Sequence, residues 1–168
     1  SENLARPKEE LEGLFNLFRK YFSENVKKLY GQNAAVKIIG DIQGLPQDVA
    51  KLLAEGEANS PKEATFCMVF AINYGSRKEI VRAAKLAAES GEEITEKTLE
   101  KYLYTGGIPN PDLIIRTGGE IRLSNFLLYQ AAYSELYFTD VLFPDFTEKE
   151  FDKALKEFSR RDRRFGRV

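Results

Sequence analysis

Short apolar segments alternate with longer segments of helical periodicity along the 168 residues of this chain. The apolar, strand-like runs are residues 34–39, 64–72, 113–115 and 136–142. The segments with helical spacing are residues 8–30, 46–57, 78–90, 95–102 and 125–134, and a last one from 147 to about 164. This alternation predicts an α/β fold in which a mostly parallel central sheet is flanked by helices. The length suits a single domain over residues 1–168.

The composition excludes several classes of function. Hydrophobic residues make up 43% of the chain and the net charge is −1, so no overall field draws it to nucleic acid. Histidine is absent and Cys67 is the only cysteine, which excludes a disulfide framework, imidazole metal sites and histidine-based triads. Cys67 lies in an apolar run between Phe66 and Met68, so we expect a buried, inert thiol. No apolar run approaches transmembrane length and no signal-peptide pattern is visible, and both observations favour the cytoplasm.

Polar turns follow three of the predicted strands, at residues 40–41, 73–77 and 116–125. In parallel α/β sheets, ligands bind outside the carboxyl ends of the strands. We therefore expect these three turns to line one edge of the sheet.

The turn after the third strand carries the strongest functional signal. An apolar run stops at Arg116, two glycines follow, and Glu120, Arg122 and Ser124 come within the next few residues. Two guanidinium groups and a hydroxyl ahead of a predicted helix suit an anion, and phosphate is the anion that these donors favour. The glycines at 118–119 permit positive φ and close approach of the backbone. The structural alternative is an ion pair between Arg116 and Glu120 within the turn, because exposed charge pairs are common.

The stretch DLIIRTGGEIRLSNFLLYQAAYSELYF at 112–138 resembles the signature of the cis-prenyltransferases, the undecaprenyl diphosphate synthase family. SENLARP at 1–7, NYGSR at 73–77 and RRFG at 163–166 also match, as does PDF at 144–146, so the resemblance spans the chain. It implies a Rossmann-like cis-prenyltransferase fold and an enzyme of isoprenoid biosynthesis. Such an enzyme condenses isopentenyl diphosphate onto an allylic diphosphate, usually farnesyl diphosphate. The implied product is a long-chain polyprenyl diphosphate such as undecaprenyl diphosphate, the precursor of a cell-wall lipid carrier.

The resemblance also implies which residues bind substrate. Arg116, Arg122 and Ser124 would hold the diphosphate of isopentenyl diphosphate, and Arg6 would lie near the reacting diphosphates. Gly166 belongs to a C-terminal segment that reaches the site of the partner subunit in family homodimers.

Catalysis, metal and partners follow from the same resemblance. Asn3 and Glu120 are the implied catalytic residues, and Glu135 is the implied ligand of Mg²⁺, a hard cation that prefers oxygen. A homodimer is expected, with residues 126–138 at its interface, and the lipid product implies peripheral contact with a membrane. Candidate walls for a product tunnel lie on the first helix, at Leu11, Leu14, Phe15 and Phe18.

One family motif has no counterpart in this chain. The family pattern begins with an apolar strand and a loop reading MDGNGRWA, whereas Ser1 already lies within the family's Ser-Glu-Asn motif. We therefore expect the N-terminal strands of the family fold to be missing and these residues alone to be inactive. Two other functions stay open, a non-catalytic subunit of a heteromeric cis-prenyltransferase and a general phosphate-binding module. Non-catalytic partners usually lack the charged loop, so its presence together with Glu135 favours the catalytic lineage.

Overall fold

The computed structural model describes residues 7–161, which divide into two compact units. The described part of the first unit is 7–75 with 102–104, and that of the second is 76–101 with 105–161. The helices are α1 (Lys8–Gly31), α2 (Gln47–Ala58), α3 (Ser76–Glu89), α4 (Glu96–Tyr102) and α5 (Glu148–Ser159). The strands are β1 (Ala34–Ile39), β2 (Phe66–Ala71), β3 (Leu113–Arg116) and β4 (Glu135–Phe138). In this described part, no helix is long and apolar enough to cross a bilayer.

The first unit is a parallel pair of strands, with two helices packed on β1. β1 and β2 run in register from Ala34 opposite Phe66 to Ile39 opposite Ala71. The core between these elements is a cluster of buried aliphatic and aromatic side chains: Phe22, Val26, Val36, Leu45, Val49 and Leu53. The predicted combination of parallel strands with flanking helices is therefore confirmed in this unit.

The bounds of α1 are close to those predicted, because its own residues mark where the helix begins and ends. Pro7 occupies the N-cap, where a missing N–H costs nothing, and acidic residues fill the first turn while Lys28 lies in the last. The buried pair Phe22 and Val26 is spaced by one helical turn, and the Phe22 ring stacks on Phe18 with centroids 4.6 Å apart. The helix ends at Gly31, one residue after the predicted end.

The second unit has its own parallel pair, with β3 beside β4 from Leu113 opposite Glu135 to Arg116 opposite Phe138. α5 packs on β4 and begins directly after its N-cap Thr147, where the sequence pattern placed the start of the last helical segment. It ends at Ser159, earlier than the predicted end near residue 164.

The predicted helix over residues 125–134 was wrong. Ser124, Asn125 and Leu127 have φ values of 45°, 63° and 46°, which no right-handed helix accommodates. Only Gln130–Tyr133 forms a single 3₁₀ turn. No helix therefore begins directly after the charged loop among residues 125–134, so the predicted helix cannot supply its N-terminus to an anion there.

The expectation of a buried Cys67 was also wrong. Its thiol is exposed, and its neighbours Phe66 and Met68 are 47% and 40% exposed. Within residues 7–161, β2 pairs only with β1, so its other edge has no strand beside it. An apolar run predicts a strand, but whether both sides of that strand are covered depends on other segments.

Candidate functional site

β3 delivers Arg116 to the start of the charged loop, because Arg116 is the last residue of that strand. Its guanidinium Nη1 donates to the carbonyl oxygen of Arg122 at 2.6 Å and to the Ser124 hydroxyl at 2.9 Å. The strand end and the far side of the loop are thus bridged by one side chain. The predicted grouping of Arg116 with Ser124 is therefore present in the structure.

The two glycines shape the turn but do not offer their N–H groups to a ligand. Gly118 and Gly119 have φ values of 87° and 76°, as predicted for this turn. Their N–H groups donate to the carbonyl oxygens of Val141 and Thr139, each at 2.9 Å. The loop is thereby attached to the segment that follows β4.

Arg122 forms an ion pair with Glu120 rather than leaving that carboxylate to Arg116. The structural alternative of an Arg116–Glu120 pair is therefore not what this turn adopts. The side chains of Arg122 and Glu120 are 59% and 48% exposed, and such exposed pairs contribute only about 0–1 kcal/mol. An anion of higher charge can therefore displace Glu120 from the Arg122 guanidinium at little cost.

A cavity of about 210 Å³ lies at this strand end. Both arginines and the serine line it together with aliphatic and aromatic side chains. The lining residues are Ile114, Ile115, Arg116, Arg122, Leu123, Ser124 and Phe126. Its two kinds of wall suit a small ligand that carries an anionic group and a short apolar group.

The loop is fastened at its far end to the start of α3, a connection that the sequence analysis did not predict. The backbone N–H of Ser76 donates to the carbonyl oxygen of Asn125 at 2.8 Å, and the N–H of Arg77 donates to Asn125 Oδ1 at 2.9 Å. Leu128 N–H in turn donates to Ser76 Oγ at 3.0 Å. The only sequence signal was the expectation that the turns at 73–77 and 116–125 share one edge.

Glu135 does not adjoin the arginine pocket in this structure. The register places it opposite Leu113, three positions before Arg116, which corresponds to about 10 Å along β3. Its carboxylate accepts a hydrogen bond from Arg161 Nη1 at 2.8 Å. Hydrogen bonds to Glu135 and to Glu157 raise the pKa of Arg161.

The donor groups of the described residues decide what kind of Mg²⁺ site they could form. Among residues 7–161, no group of three or more His, Cys, Asp or Glu side chains could hold a metal ion. Mg²⁺ often takes only one or two carboxylates and completes its shell with phosphate oxygens and water. Glu135 therefore fits the role of one ligand to an ion that arrives with a diphosphate, and not an all-protein metal site.

Three of the predicted site residues, Asn3, Arg6 and Gly166, lie outside the described residues. Their roles remain predictions, as do the binding, catalytic and metal roles of the described site residues, which are Arg116, Glu120, Arg122, Ser124 and Glu135.

Parallel strands, flanking helices and a cationic pocket beyond a strand end define an α/β protein with a candidate site for a small anionic ligand. The chain belongs to the undecaprenyl diphosphate synthase family of prenyltransferases, because the family model described as "Putative undecaprenyl diphosphate synthase" matches residues 1–166.

Curated relatives and solved structures agree with this membership. The isoprenyl transferase of Neisseria meningitidis is 46% identical over 169 residues, which cover 100% of this chain and 68% of the relative. That of Thermotoga maritima is 44% identical over 171 residues, covering 99% of this chain and 73% of the relative. A probable undecaprenyl diphosphate synthase from Campylobacter jejuni superposes with a TM-score of 0.89 at 38% identity, covering 99% of this chain and 79% of that one. Lavandulyl diphosphate synthase from Lavandula x intermedia, solved with dimethylallyl diphosphate, superposes with a TM-score of 0.91 at 38% identity. The match covers 98% of this chain and 75% of that one.

Proposed function

We propose that this chain binds isopentenyl diphosphate for cis-prenyl chain elongation onto an allylic diphosphate, with farnesyl diphosphate as the primer. The product would be a long-chain polyprenyl diphosphate, such as undecaprenyl diphosphate for the cell-wall lipid carrier. The observation that carries the proposal is the cavity of about 210 Å³ that joins Arg116, Arg122 and Ser124 to an apolar wall.

The polar and the apolar lining residues match the two halves of the proposed substrate. Arg116 and Arg122 present planar, always charged donors that match phosphate oxygens bidentately, and Ser124 adds a hydroxyl. Ile115 and Phe126 offer apolar surface for a five-carbon group. A free phosphate ion would use only the first half, so the apolar wall favours a prenyl diphosphate.

In the proposed reaction, the double bond of isopentenyl diphosphate forms a carbon–carbon bond to the allylic carbon. The bond from that carbon to its diphosphate breaks, and a proton leaves the new chain. Arg116, Arg122 and Ser124 would contribute by fixing the second substrate, which converts an encounter into an oriented reaction. Asn3 and Glu120 are proposed to act near the reacting atoms, with Arg6 beside the diphosphates.

We also propose that Mg²⁺ assists, with Glu135 as one carboxylate ligand. When bound, the ion would supply positive charge to the diphosphate groups. Arg161 pairs with Glu135 at 2.8 Å, and this contact orients the carboxylate in the structure.

A homodimer is proposed as the assembly, with Gly166 near the partner's site. Its support is a set of large apolar side chains of the second unit that are 40–80% exposed. They are Ile121, Phe126, Leu128, Tyr133, Leu142 and Phe143. Exposed apolar surface on this scale is typical of an interface.

Calorimetric titration with isopentenyl diphosphate tests the proposal. Arg116→Ala removes the charged donor that also bridges the loop, so we expect the Kd to rise about 10- to 150-fold. The matched control is Arg19→Ala, which removes an arginine of the first unit whose Nε donates to Asp48 at 2.6 Å. An unchanged Kd in Arg116→Ala would refute the proposal, and equal affinity for inorganic phosphate would indicate a general phosphate site.

A further inference from the structure

The first turn of α3 is satisfied by a residue of the charged loop rather than by its own sequence. Backbone N–H groups at a helix start have no partner within the helix. The N–H groups of Ser76 and Arg77 donate to the carbonyl oxygen and to Oδ1 of Asn125, at 2.8 and 2.9 Å. Asn125 therefore acts as the N-terminal cap of a helix that begins 49 residues earlier in the chain, counted from Ser76 to Asn125.

The start of α3 also accepts a hydrogen bond from the segment that follows the loop. Ser76 is fully buried, and its Oγ accepts the N–H of Leu128 at 3.0 Å. Between these contacts, Ser124 and Leu127 hold φ values of 45° and 46°, which L residues other than Asn and Asp rarely adopt. Such conformations persist only where the surroundings fix them. Asn125 tolerates its φ of 63° and also accepts the hydrogen bonds of the first turn of α3. It therefore suits both the backbone conformation of the loop and the capping of the helix.

A buried polar contact supports the same arrangement behind the loop. Gln130 is 2% exposed, and its Nε2 donates to the fully buried Glu79 of α3 at 3.1 Å and to Thr105 Oγ1 at 2.9 Å. The segment that follows the loop is therefore held to α3 at a second place, one helical turn beyond Ser76.

We propose that Asn125, together with Ser76, is a positioning clamp for the pocket that contains Arg116 and Ser124. Asn125 is not among the described side chains that line this pocket, whereas its neighbours Ser124 and Phe126 are. The clamp acts through Ser124, whose hydroxyl accepts Arg116 Nη1 at 2.9 Å and whose backbone conformation is fixed by the bonds of the next residue. This inference rests on the proposed function, since it assigns the pocket a diphosphate ligand.

The test compares three variants by titration with isopentenyl diphosphate and by amide hydrogen exchange. Asn125→Gly keeps the freedom to adopt positive φ but removes the side-chain acceptor. Asn125→Asp keeps the tolerance of positive φ and the side-chain acceptor. Asn33→Gly is the matched control, because Asn33 also has a positive φ of 57° but lies in the first unit between α1 and β1.

We expect Asn125→Gly to raise the Kd about tenfold and to speed exchange of the Arg77 amide by a similar factor, through loss of one cap acceptor. Asn125→Asp should stay within about threefold of wild type in both measurements, since a carboxylate also accepts the bond. If Asn125 has only a structural role, Asn125→Gly will have a lower unfolding midpoint but the same Kd as Asn33→Gly. That result would overturn the inference. If wild type binds no isopentenyl diphosphate, the proposed function fails. The Arg77 exchange rate then decides the clamp alone: faster exchange in Asn125→Gly supports it, and an unchanged rate overturns it.

Discussion

Replacing Gly40 with alanine tests how closely the two strands of the first unit approach at their carboxyl ends. Gly40 directly follows β1 and has φ of 118°, outside the regions that L residues occupy. A Cβ atom built there would overlap the carbonyl oxygen of Ile72 and lie 3.2 Å from Cα of Tyr74. The obstruction is backbone, so no side-chain rotation relieves it.

The cost of Gly40→Ala can be worked from two terms. The backbone conformation itself costs about 1–3 kcal/mol for a residue with a Cβ atom. Relieving the overlap separates the strand ends, which lengthens the bonds from Ile72 N–H to Ile39 O at 2.9 Å and from Asp41 N–H to Asn73 O at 3.3 Å. Each such bond is worth about 1 kcal/mol. The free energy of unfolding should therefore fall by about 3–5 kcal/mol, a large part of an ordinary protein's stability.

Urea unfolding followed by far-ultraviolet circular dichroism measures this change. Gly91→Ala is the control for conformation alone, because Gly91 has φ of 73° and no described heavy atom lies within 4 Å of its added Cβ. It should cost about 1–2 kcal/mol. Gly13→Ala, inside α1 and equally open, should stabilise by about 1 kcal/mol. If Gly40→Ala costs no more than Gly91→Ala, the close approach of the strands is not what selects glycine at position 40.

Two further predictions concern a carboxylate and a thiol. Hydrogen bonding from Arg19 holds the pKa of Asp48 below its usual range, so the stabilisation is present above about pH 4 and is lost as pH falls through the folded-state pKa. The difference in unfolding free energy between wild type and Asp48→Asn should therefore shrink below about pH 4, and a difference that stays constant to lower pH would contradict the assignment. Cys67 should react with a thiol reagent in the folded protein as fast as a small-molecule thiol, since it is exposed. Reaction only after denaturant is added would show that the thiol is covered.

The periodic elements were predictable because each is determined by its own residues. α1 combines a one-turn spacing of buried side chains with a proline at its start and a glycine at its end, so both bounds are local signals. β1 was predicted with its observed bounds, Ala34–Ile39, since six apolar-rich residues lie between the Gln32–Asn33 turn and Gly40.

Residues 125–134 show where local signals fail. Their apolar, aromatic-rich composition fits a helix, yet Asn125 and Leu127 adopt positive φ. The competing contact comes from Ser76 and Arg77, which lie far away in sequence and whose N–H groups need an acceptor. Local propensity is a weak term, and these tertiary hydrogen bonds override it.

The sequence predicted which residue types form the candidate site, but not which charged side chains pair with each other. Residue types alone indicated that Arg116, Arg122 and Ser124 would serve an anion, and the structure places all three on one cavity. That Arg122 pairs with Glu120 depends on the path of the turn, which the sequence pattern does not specify. A long, flexible side chain such as that of Arg122 can reach several charged partners. The path of the backbone therefore decides which of them it pairs with.

The charged loop and the start of α3, both in the second unit, have complementary hydrogen-bonding needs. Because Ser124, Asn125 and Leu127 adopt positive φ and form no regular helix, the polar groups of this segment need partners outside it. The start of α3 has the complementary deficit, since its first N–H groups need acceptors. Asn125 meets both needs with one side chain and one carbonyl group, at 2.9 and 2.8 Å. In the clamp proposed above, Asn125 would therefore position the pocket through its neighbour Ser124 without itself lining the pocket.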